Sequence, residues 1–165
     1  MSKKSEIKVG EIAVGDRGLR ISTLGIGSCM VVCLYDKKAK VGGLIHAMLP
    51  CRNGSAEMEC LTLTPTNPLL GDLKYVDEAI DILVDKIIKI NGKKEDIVAK
   101  LVGGANMFKF FSDNKKSVGA RNIDIARRKL ESLGIVIENE DVGGSVGRMV
   151  EFNVSNGVLM VTSRL

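Results

Sequence analysis

The stretch MVVCLYDKKAKVGGLIHAML, Met30 to Leu49, is the part of the sequence that indicates the fold most clearly. Its first seven residues are rich in β-branched and other apolar side chains, and the polar segment DKKAK that follows is typical of a turn. The second apolar run, from Val41 to Leu49, has the length and composition of a partner strand. The sequence therefore predicts a β-hairpin here.

Further strands are predicted on both sides of this hairpin. The segments EIAVG and LRIST before it alternate apolar and polar residues. After it, Ile97 to Val102 and the segment IVIENED have strand composition. Near the end of the chain, RMVEFNV and VLMVTS flank Ser155-Asn156-Gly157, and Asn-Gly between alternating strands is a strong hairpin signal. In all, about four to seven strands are expected.

Two helices are predicted from apolar residues at helical spacing. The first covers Asp72 to Ile90 and ends at Asn91-Gly92. The second begins with Asn122 as its N-cap and closes at Gly134. The predicted apolar stripes are Val76, Ala79, Ile80, Leu83, Val84, Ile87 and Ile88 in the first helix, and Ile123, Ala126, Leu130 and Leu133 in the second.

The length and the element pattern indicate a single domain, residues 1–165, of mixed α and β structure. Terminal hairpins favour a mixed or antiparallel sheet over a doubly wound parallel sheet. The segment from Cys51 to Gly71 has no clear periodicity and is expected to be a long loop of the functional or mobile kind.

Composition excludes several classes of protein. No apolar run approaches the roughly 18 residues of a membrane helix, and the N-terminal residues carry no apolar leader, so a cytoplasmic protein without membrane insertion is expected. The net charge is +4, but the lysines are dispersed and aromatic residues make up only 4%, which argues against nucleic-acid binding. In a reducing compartment, the four cysteines are expected to be free thiols.

The segment TLGIGSC, which ends at Cys29, has the features of a nucleophile turn. Gly25 and Gly27 permit a tight turn that leaves backbone N–H groups free to stabilise an oxyanion, and the nucleophile is expected to be held as a thiolate. His46, the only histidine, is the one side chain with an ordinary pKa near neutrality, and it lies on the predicted partner strand. Thr23 is a candidate to orient the imidazole through either its hydroxyl or its carbonyl group.

From these residues alone, a structural role for Cys29 and His46 stays open, because buried cysteines commonly fill cores. Cys33 is interpreted as a core residue, and a zinc site is disfavoured because the sequence has no CxxC pair. The glycine-rich stretches LVGGANMF and DVGGSVGR are interpreted as tight turns, not phosphate loops. Arg121 and Arg148 are expected to be ion-paired or solvated rather than ligand-binding.

Eight motifs together resemble one family. TLGIGSC, VCLYD, GGLIHAMLP, KYVDEAI, KLVGGANMF, VGARNI, LGI and DVGGSVGRMVEF stand in the order found in CheD, the chemoreceptor glutamine deamidase family of bacterial and archaeal chemotaxis. The resemblance covers about Val9 to Val161. It implies an α+β fold of two packed mixed or antiparallel β-sheets with flanking helices, similar to the cytotoxic necrotizing factor cysteine hydrolases.

The resemblance also implies a catalytic triad of Cys29, His46 and Thr23, with no cofactor and no metal. The implied reaction hydrolyses glutamine side chains of methyl-accepting chemotaxis receptors through a cysteine thioester. The implied partner is the phosphatase CheC, whose activity the deamidase raises. Phe108 is either an apolar anchor for such a contact or a core residue. The alternatives are a regulatory protein that mainly binds receptor or CheC, and another cysteine hydrolase such as a protease or a receptor methylesterase.

Overall fold

The computed structural model describes residues 2–52, 72–108 and 117–164. These residues form nine strands, two α-helices and a short 3-10 helix at Lys94–Asp96. The helices are Val76–Lys89 (α1) and Val118–Ser132 (α2). The strands are Lys3–Glu6 (β1), Ile12–Gly15 (β2), Leu19–Ile26 (β3), Met30–Asp36 (β4), Val41–Ala47 (β5), Ile97–Gly103 (β6), Val136–Val142 (β7), Gly147–Asn153 (β8) and Val158–Arg164 (β9).

The strands form two sheets. One has four strands in the order β1-β3-β8-β9, and the other has five in the order β2-β5-β4-β6-β7. Two pairs are parallel, β1 with β3 and β6 with β7, and the remaining neighbours are antiparallel. The predicted α+β class with two mixed sheets and helices is confirmed.

The β4–β5 hairpin lies inside the five-stranded sheet and matches the prediction. Asp36 pairs with Val41 at the turn, and Val31 pairs with His46 towards the open end. Every residue of both strands is buried. A strand covered on both faces reads as a continuous apolar run without alternation, and this is why the stretch from Met30 stands out in the sequence.

The five-stranded sheet is the middle of three layers. On one of its faces α1 and α2 pack over Val32, Ile45 and Leu101. The other face meets the four-stranded sheet, and Val31 and Leu44 there belong to the same cluster as the residues of β3 and β8. Side chains of successive strand residues point to opposite faces, so each central strand supplies both cores.

The second helix begins five residues before its predicted start. Ser117 is the N-cap, and its side chain accepts a hydrogen bond from the backbone N–H of Ala120 at 3.2 Å. The assignment of Asn122 as N-cap is therefore wrong, and Asn122 lies inside the helix with its side chain buried. The first helix begins at Val76 instead of Asp72.

Several turns agree with the sequence. Asn91 has φ of 75°, and the N–H of Gly92 donates to the carbonyl of Ile87, as expected where α1 ends. The β8–β9 hairpin closes around Asn156-Gly157, with Asn153 opposite Val158. The expected count of four to seven strands is too low, and most of the predicted loop from Cys51 to Gly71 lies outside the described residues. Within the described ranges, no helix is long and apolar enough to cross a membrane.

Candidate active site

Thr23 and His46 meet between the two sheets. Thr23 lies on β3 of the four-stranded sheet and His46 on β5 of the five-stranded sheet. Their side chains are fully buried, and Thr23 Oγ1 lies 2.7 Å from His46 Nδ1. This hydrogen bond joins the two sheets, which also pack against each other through the apolar cluster that includes Ile21, Val31 and Val150.

The partners of Thr23 determine the tautomer of His46. The threonine hydroxyl has a single hydrogen, and it donates that hydrogen to the carbonyl oxygen of Ile7 at 2.8 Å. It must then accept from His46, so the imidazole proton is on Nδ1 and the lone pair is on Nε2. Nε2 is buried and has no hydrogen-bond partner among the described residues. Nε2 of His46 is therefore a basic nitrogen whose lone pair is available to accept a proton.

Burial also determines the charge of this imidazole. Loss of water contact disfavours the charged form and lowers the pKa of His46 to about 4. His46 is therefore neutral at physiological pH. The ordinary pKa of histidine is near neutrality, and the fold moves the pKa of His46 below that value because the second sheet, contributed by distant parts of the chain, covers the imidazole.

Cys29 lies in the turn immediately before β4, where Met30 pairs with Ala47. Its side chain is partly exposed. Gly25 has φ of 66°, a left-handed conformation that glycine adopts without strain. The register places His46 opposite Val31, two residues from the thiol.

The loop after β6 holds this turn. The N–H of Gly104 donates to the carbonyl of Cys29 at 2.8 Å, and the N–H of Ala105 donates to the carbonyl of Gly27 at 2.9 Å. Gly103 has φ of 119° and approaches Cys29 so closely that a side chain would collide with its carbonyl oxygen. The interpretation of LVGGANMF as a tight turn with close packing is confirmed.

Cys29 is a thiol in the resting protein. Burial raises its pKa, and the hydrogen bond from its own backbone N–H offsets this only in part. The expectation of a thiolate held in the turn is therefore wrong. A neutral thiol and a neutral imidazole need a proton transfer at the moment of attack.

Asn122 was missed as a member of this site. Its Nδ2 donates to the carbonyl of Ser28 at 2.8 Å and to the carbonyl of Met48 at 3.1 Å. The sequence feature that could have identified Asn122 is its position on the apolar stripe of α2, since Asn122, Ala126 and Leu130 lie four residues apart on one face. A polar side chain on a buried face needs partners from elsewhere in the fold.

The other cysteines do not join the site. Cys33 is buried in the core between the sheets, as expected, and burial raises the pKa of its thiol strongly. Cys51 is disulfide-bonded, so the expectation of four free thiols is wrong, and Cys60 lies outside the described residues. Among the described residues, no group of three or more His, Cys, Asp or Glu side chains could hold a metal ion.

The surroundings of Arg148 and Phe108 decide between the two interpretations that the sequence left open for each residue. Arg148 is buried and donates to Asp141 at 3.2 Å, so the ion-paired interpretation is confirmed. Phe108 is 73% exposed, which excludes the core interpretation. Met107, its neighbour, is also exposed and lies next to Gly27 of the nucleophile turn.

The fold and the site together define an α+β protein of two sheets and two helices. A partly exposed thiol stands two residues before Val31, the strand partner of a buried neutral imidazole. A family model described as CheD chemotactic sensory transduction matches residues 48–163. The chain belongs to the CheD family. The range matched by this model begins after Thr23, Cys29 and His46.

Relatives extend the similarity over almost the whole chain. A protein of Thermotoga maritima named chemoreceptor glutamine deamidase CheD is 38% identical over 158 residues, which cover 96% of this chain and 90% of the relative. Proteins of Pyrococcus abyssi and Methanococcus maripaludis, both named probable chemoreceptor glutamine deamidase CheD, are 38% and 39% identical and cover 95% and 94% of this chain. They are themselves covered over 90% and 92% of their lengths.

Proposed function

We propose that this chain is a single-domain protein-glutamine deamidase that converts glutamine side chains of chemotaxis receptors to glutamate. The observation that carries the proposal is the Thr23–His46 hydrogen bond, which leaves an unprotonated Nε2 available as a base in the region of the Cys29 thiol. The names of the relatives supply the substrate class. Cys29 acts as nucleophile, His46 as general base and acid, and Thr23 as the group that orients His46.

The first half of the reaction forms a thioester. His46 Nε2 takes the proton of the Cys29 thiol while sulfur attacks the carboxamide carbon of the receptor glutamine. The carbonyl oxygen becomes an oxyanion, and the backbone N–H groups of Ser28 and Cys29 donate to it. The C–N bond then breaks, and His46 transfers its proton to the leaving group, which departs as ammonia.

The second half hydrolyses the thioester. His46 Nε2 removes a proton from water as the water oxygen attacks the thioester carbon. The C–S bond breaks, the proton passes to sulfur, and glutamate is released with the thiol restored. Because His46 is neutral and Cys29 is protonated at the start, each half begins with the same imidazole acting as a base.

Each turnover adds one negative charge to a receptor helix and creates a methyl-acceptor carboxylate. In a packed helix bundle, a new charge shifts the balance of helix–helix contacts. The net charge of +4 on this chain complements an acidic helix surface, although the charge is small.

A second role, binding to the phosphatase CheC and raising its activity, is favoured by the exposed pair Met107 and Phe108. Phe108 is 73% exposed although it is a large aromatic residue, and such residues commonly anchor protein contacts. The pair follows the Gly103-Gly104 segment that holds the nucleophile turn. A protein bound there covers the thiol, so receptor and CheC are expected to compete for this face.

The proposal is tested by intact-mass spectrometry of a cytoplasmic receptor fragment after incubation with the protein. A gain of ~1 Da for each modified glutamine is expected, since an amide NH2 is replaced by OH. Cys29→Ala is expected to abolish the gain. Cys33→Ala is the matched control, because it removes a buried thiol of the same strand region and should retain activity.

The same assay separates the alternatives. Loss of a methyl group from a methylated receptor, without any change in unmodified glutamines, would replace the deamidase proposal with a methylesterase. Unchanged mass on all receptors from the same genome, together with retained binding to receptor or CheC, would support the regulatory binding role. Signalling that survives Cys29→Ser in cells would point the same way.

A further inference from the structure

Asn122 links the two segments that carry the proposed nucleophile and base. Its side chain is fully buried on α2, and its amide group donates two hydrogen bonds to backbone carbonyls near the ends of two different strands. One goes to Ser28, directly before Cys29, and the other goes to Met48, two residues after His46. The side chain thus fixes the turn before β4 relative to the end of β5.

The bond to Ser28 has a specific consequence for Cys29. The carbonyl of Ser28 and the N–H of Cys29 belong to the same peptide unit, which is planar, and in the trans form the two groups point in opposite directions. A donor that holds the carbonyl on the α2 side therefore aims the N–H away from α2. This N–H is the group that lies against the Cys29 sulfur.

The Asn122 side chain also carries an energetic cost. Its Oδ1 is buried and has no hydrogen-bond partner among the described residues. A buried amide oxygen without a partner destabilises the folded state, whereas the two amide hydrogens satisfy the carbonyls of Ser28 and Met48. Such a cost at a buried position, combined with two bonds to the site backbone, points to a requirement for the amide donors themselves.

We propose that Asn122 is a positioning residue for the deamidation reaction: it orients the Ser28–Cys29 peptide so that the Cys29 N–H faces the reacting atoms. The inference rests on the proposed function for its kinetic effect. Its effect on Cys29 itself is independent of substrate, because the same N–H stabilises the thiolate. Loss of the Asn122 donors then makes Cys29 a weaker acid and a poorer oxyanion donor at once.

The test measures alkylation of Cys29 by iodoacetamide as a function of pH, followed by peptide mass spectrometry. Asn122→Leu, which keeps the approximate size, and Asn122→Ala are compared with Leu130→Ala. Leu130 is fully buried on the same helix two turns further on, so this control destabilises α2 without removing the donors. The same set is prepared in a His46→Ala background, which removes the imidazole as a source of any shift.

In both Asn122 variants we expect the midpoint of alkylation to move up by about one pH unit, with and without His46. We expect no movement in Leu130→Ala. With receptor as substrate, kcat should fall about tenfold or more while KM stays within about twofold. A loss of kcat with little change in KM, confined to these variants, is expected of a residue that acts on the reacting groups and not on receptor binding.

Asn122 variants that keep the wild-type midpoint would overturn the positioning role, whatever their thermal stability. A midpoint that moves equally in Leu130→Ala would also overturn it, because the shift would then follow destabilisation of the helix. If the midpoint moves only in the Asn122 variants but wild-type protein deamidates no receptor, the effect of Asn122 on the Cys29 thiol stands, and the proposed function fails together with the kinetic effect that rests on it. If wild-type protein deamidates receptor but the midpoint of the Asn122 variants does not move, the proposed function stands and the positioning role fails.

Discussion

Gly103 and Cys29 are so close that a Cβ atom built on Gly103 would overlap the Cys29 carbonyl oxygen. No real Cβ tolerates such an overlap with backbone, so either β6 or the nucleophile turn would have to move. The contact explains why the five-stranded sheet carries a glycine where β6 passes the turn. It also makes the position of Cys29 dependent on a strand far away in sequence.

Gly103→Ala is accordingly expected to displace the turn. Its φ of 119° adds backbone strain, so we expect a loss of about 1–3 kcal/mol in unfolding free energy together with a large loss of deamidase activity. Gly134→Ala is the matched control, because Gly134 also has a positive φ of 70° but has open space around its Cβ position. It should lose about 1 kcal/mol and keep its activity. Urea denaturation and receptor assays give both values; equal activity in the two variants would contradict the contact's role.

Thr23→Val should uncouple the imidazole from the opposite sheet. The substitution keeps the shape but leaves both the His46 Nδ1–H and the Ile7 carbonyl without their partner. We expect a loss of about 1–3 kcal/mol in stability and a fall in kcat of about tenfold or more. Thr23→Ser keeps the hydroxyl and should retain most of the activity. A Thr23→Val protein with wild-type kcat would exclude the orienting role of the hydroxyl.

The lowered pKa of His46 predicts how stability depends on pH. An unfolded chain takes up this proton near pH 6.5, whereas the folded protein takes it up only near pH 4. Between these values the unfolded state binds more protons, so the unfolding free energy should fall as pH falls through this window, by about 3 kcal/mol in all. Chemical denaturation from pH 7 to pH 4 measures this slope. His46→Gln should lack this part of the slope, and an unchanged slope would show that other groups cause it.

The helices are joined by a buried ion pair that offers a stability test remote from the site. Lys129 Nζ on α2 lies 2.5 Å from Asp81 Oδ2 on α1, and both side chains are almost fully buried. Lys129→Met leaves the carboxylate buried without its cation and should cost about 3–5 kcal/mol. Adding Asp81→Leu should recover most of this loss. If the double variant is no more stable than the single one, the carboxylate is not the source of the loss.

Phe108→Ser should separate binding from stability. Because the ring is largely exposed, the unfolding free energy should change by no more than about 0.5 kcal/mol. If Phe108 anchors the receptor, KM for the receptor should rise about fivefold or more with little change in kcat. Val136→Ser is the control, since Val136 is similarly exposed on β7 at an edge of the five-stranded sheet. Equal KM values in the two variants would remove Phe108 from the binding face.

The parts of the fold that the sequence predicts are those whose signal is local. The hairpin from Met30 was recognisable because two-sided burial produces unbroken apolar strands, and Asn156-Gly157 specified its own turn. Strand β1 was missed because KKSE contains no apolar residue. It is a strand only because Lys3–Glu6 pairs in parallel with β3.

The parts of the site that the sequence could not predict are those created by distant contacts. Asparagine is a common helix-cap residue, and this is why the sequence predicts a cap at Asn122. Its amide bonds to Ser28 and Met48 depend on contacts that only the folded chain makes. Whether Thr23 would offer hydroxyl or carbonyl depended on the distance between the sheets. The charge state of His46 likewise depends on burial by β3, which pattern analysis does not measure.

The Thr23–His46 bond crosses from one sheet to the other, so the side of the imidazole that carries the proton depends on the alignment of two separately hydrogen-bonded sheets. A compact intermediate could keep both sheets and still allow them to slide or separate. The base would then be hydrated, both tautomers would be populated, and the thiol would lose its proton acceptor. Deamidase activity is therefore a stricter measure of native side-chain packing than far-UV circular dichroism, which such an intermediate would leave nearly unchanged.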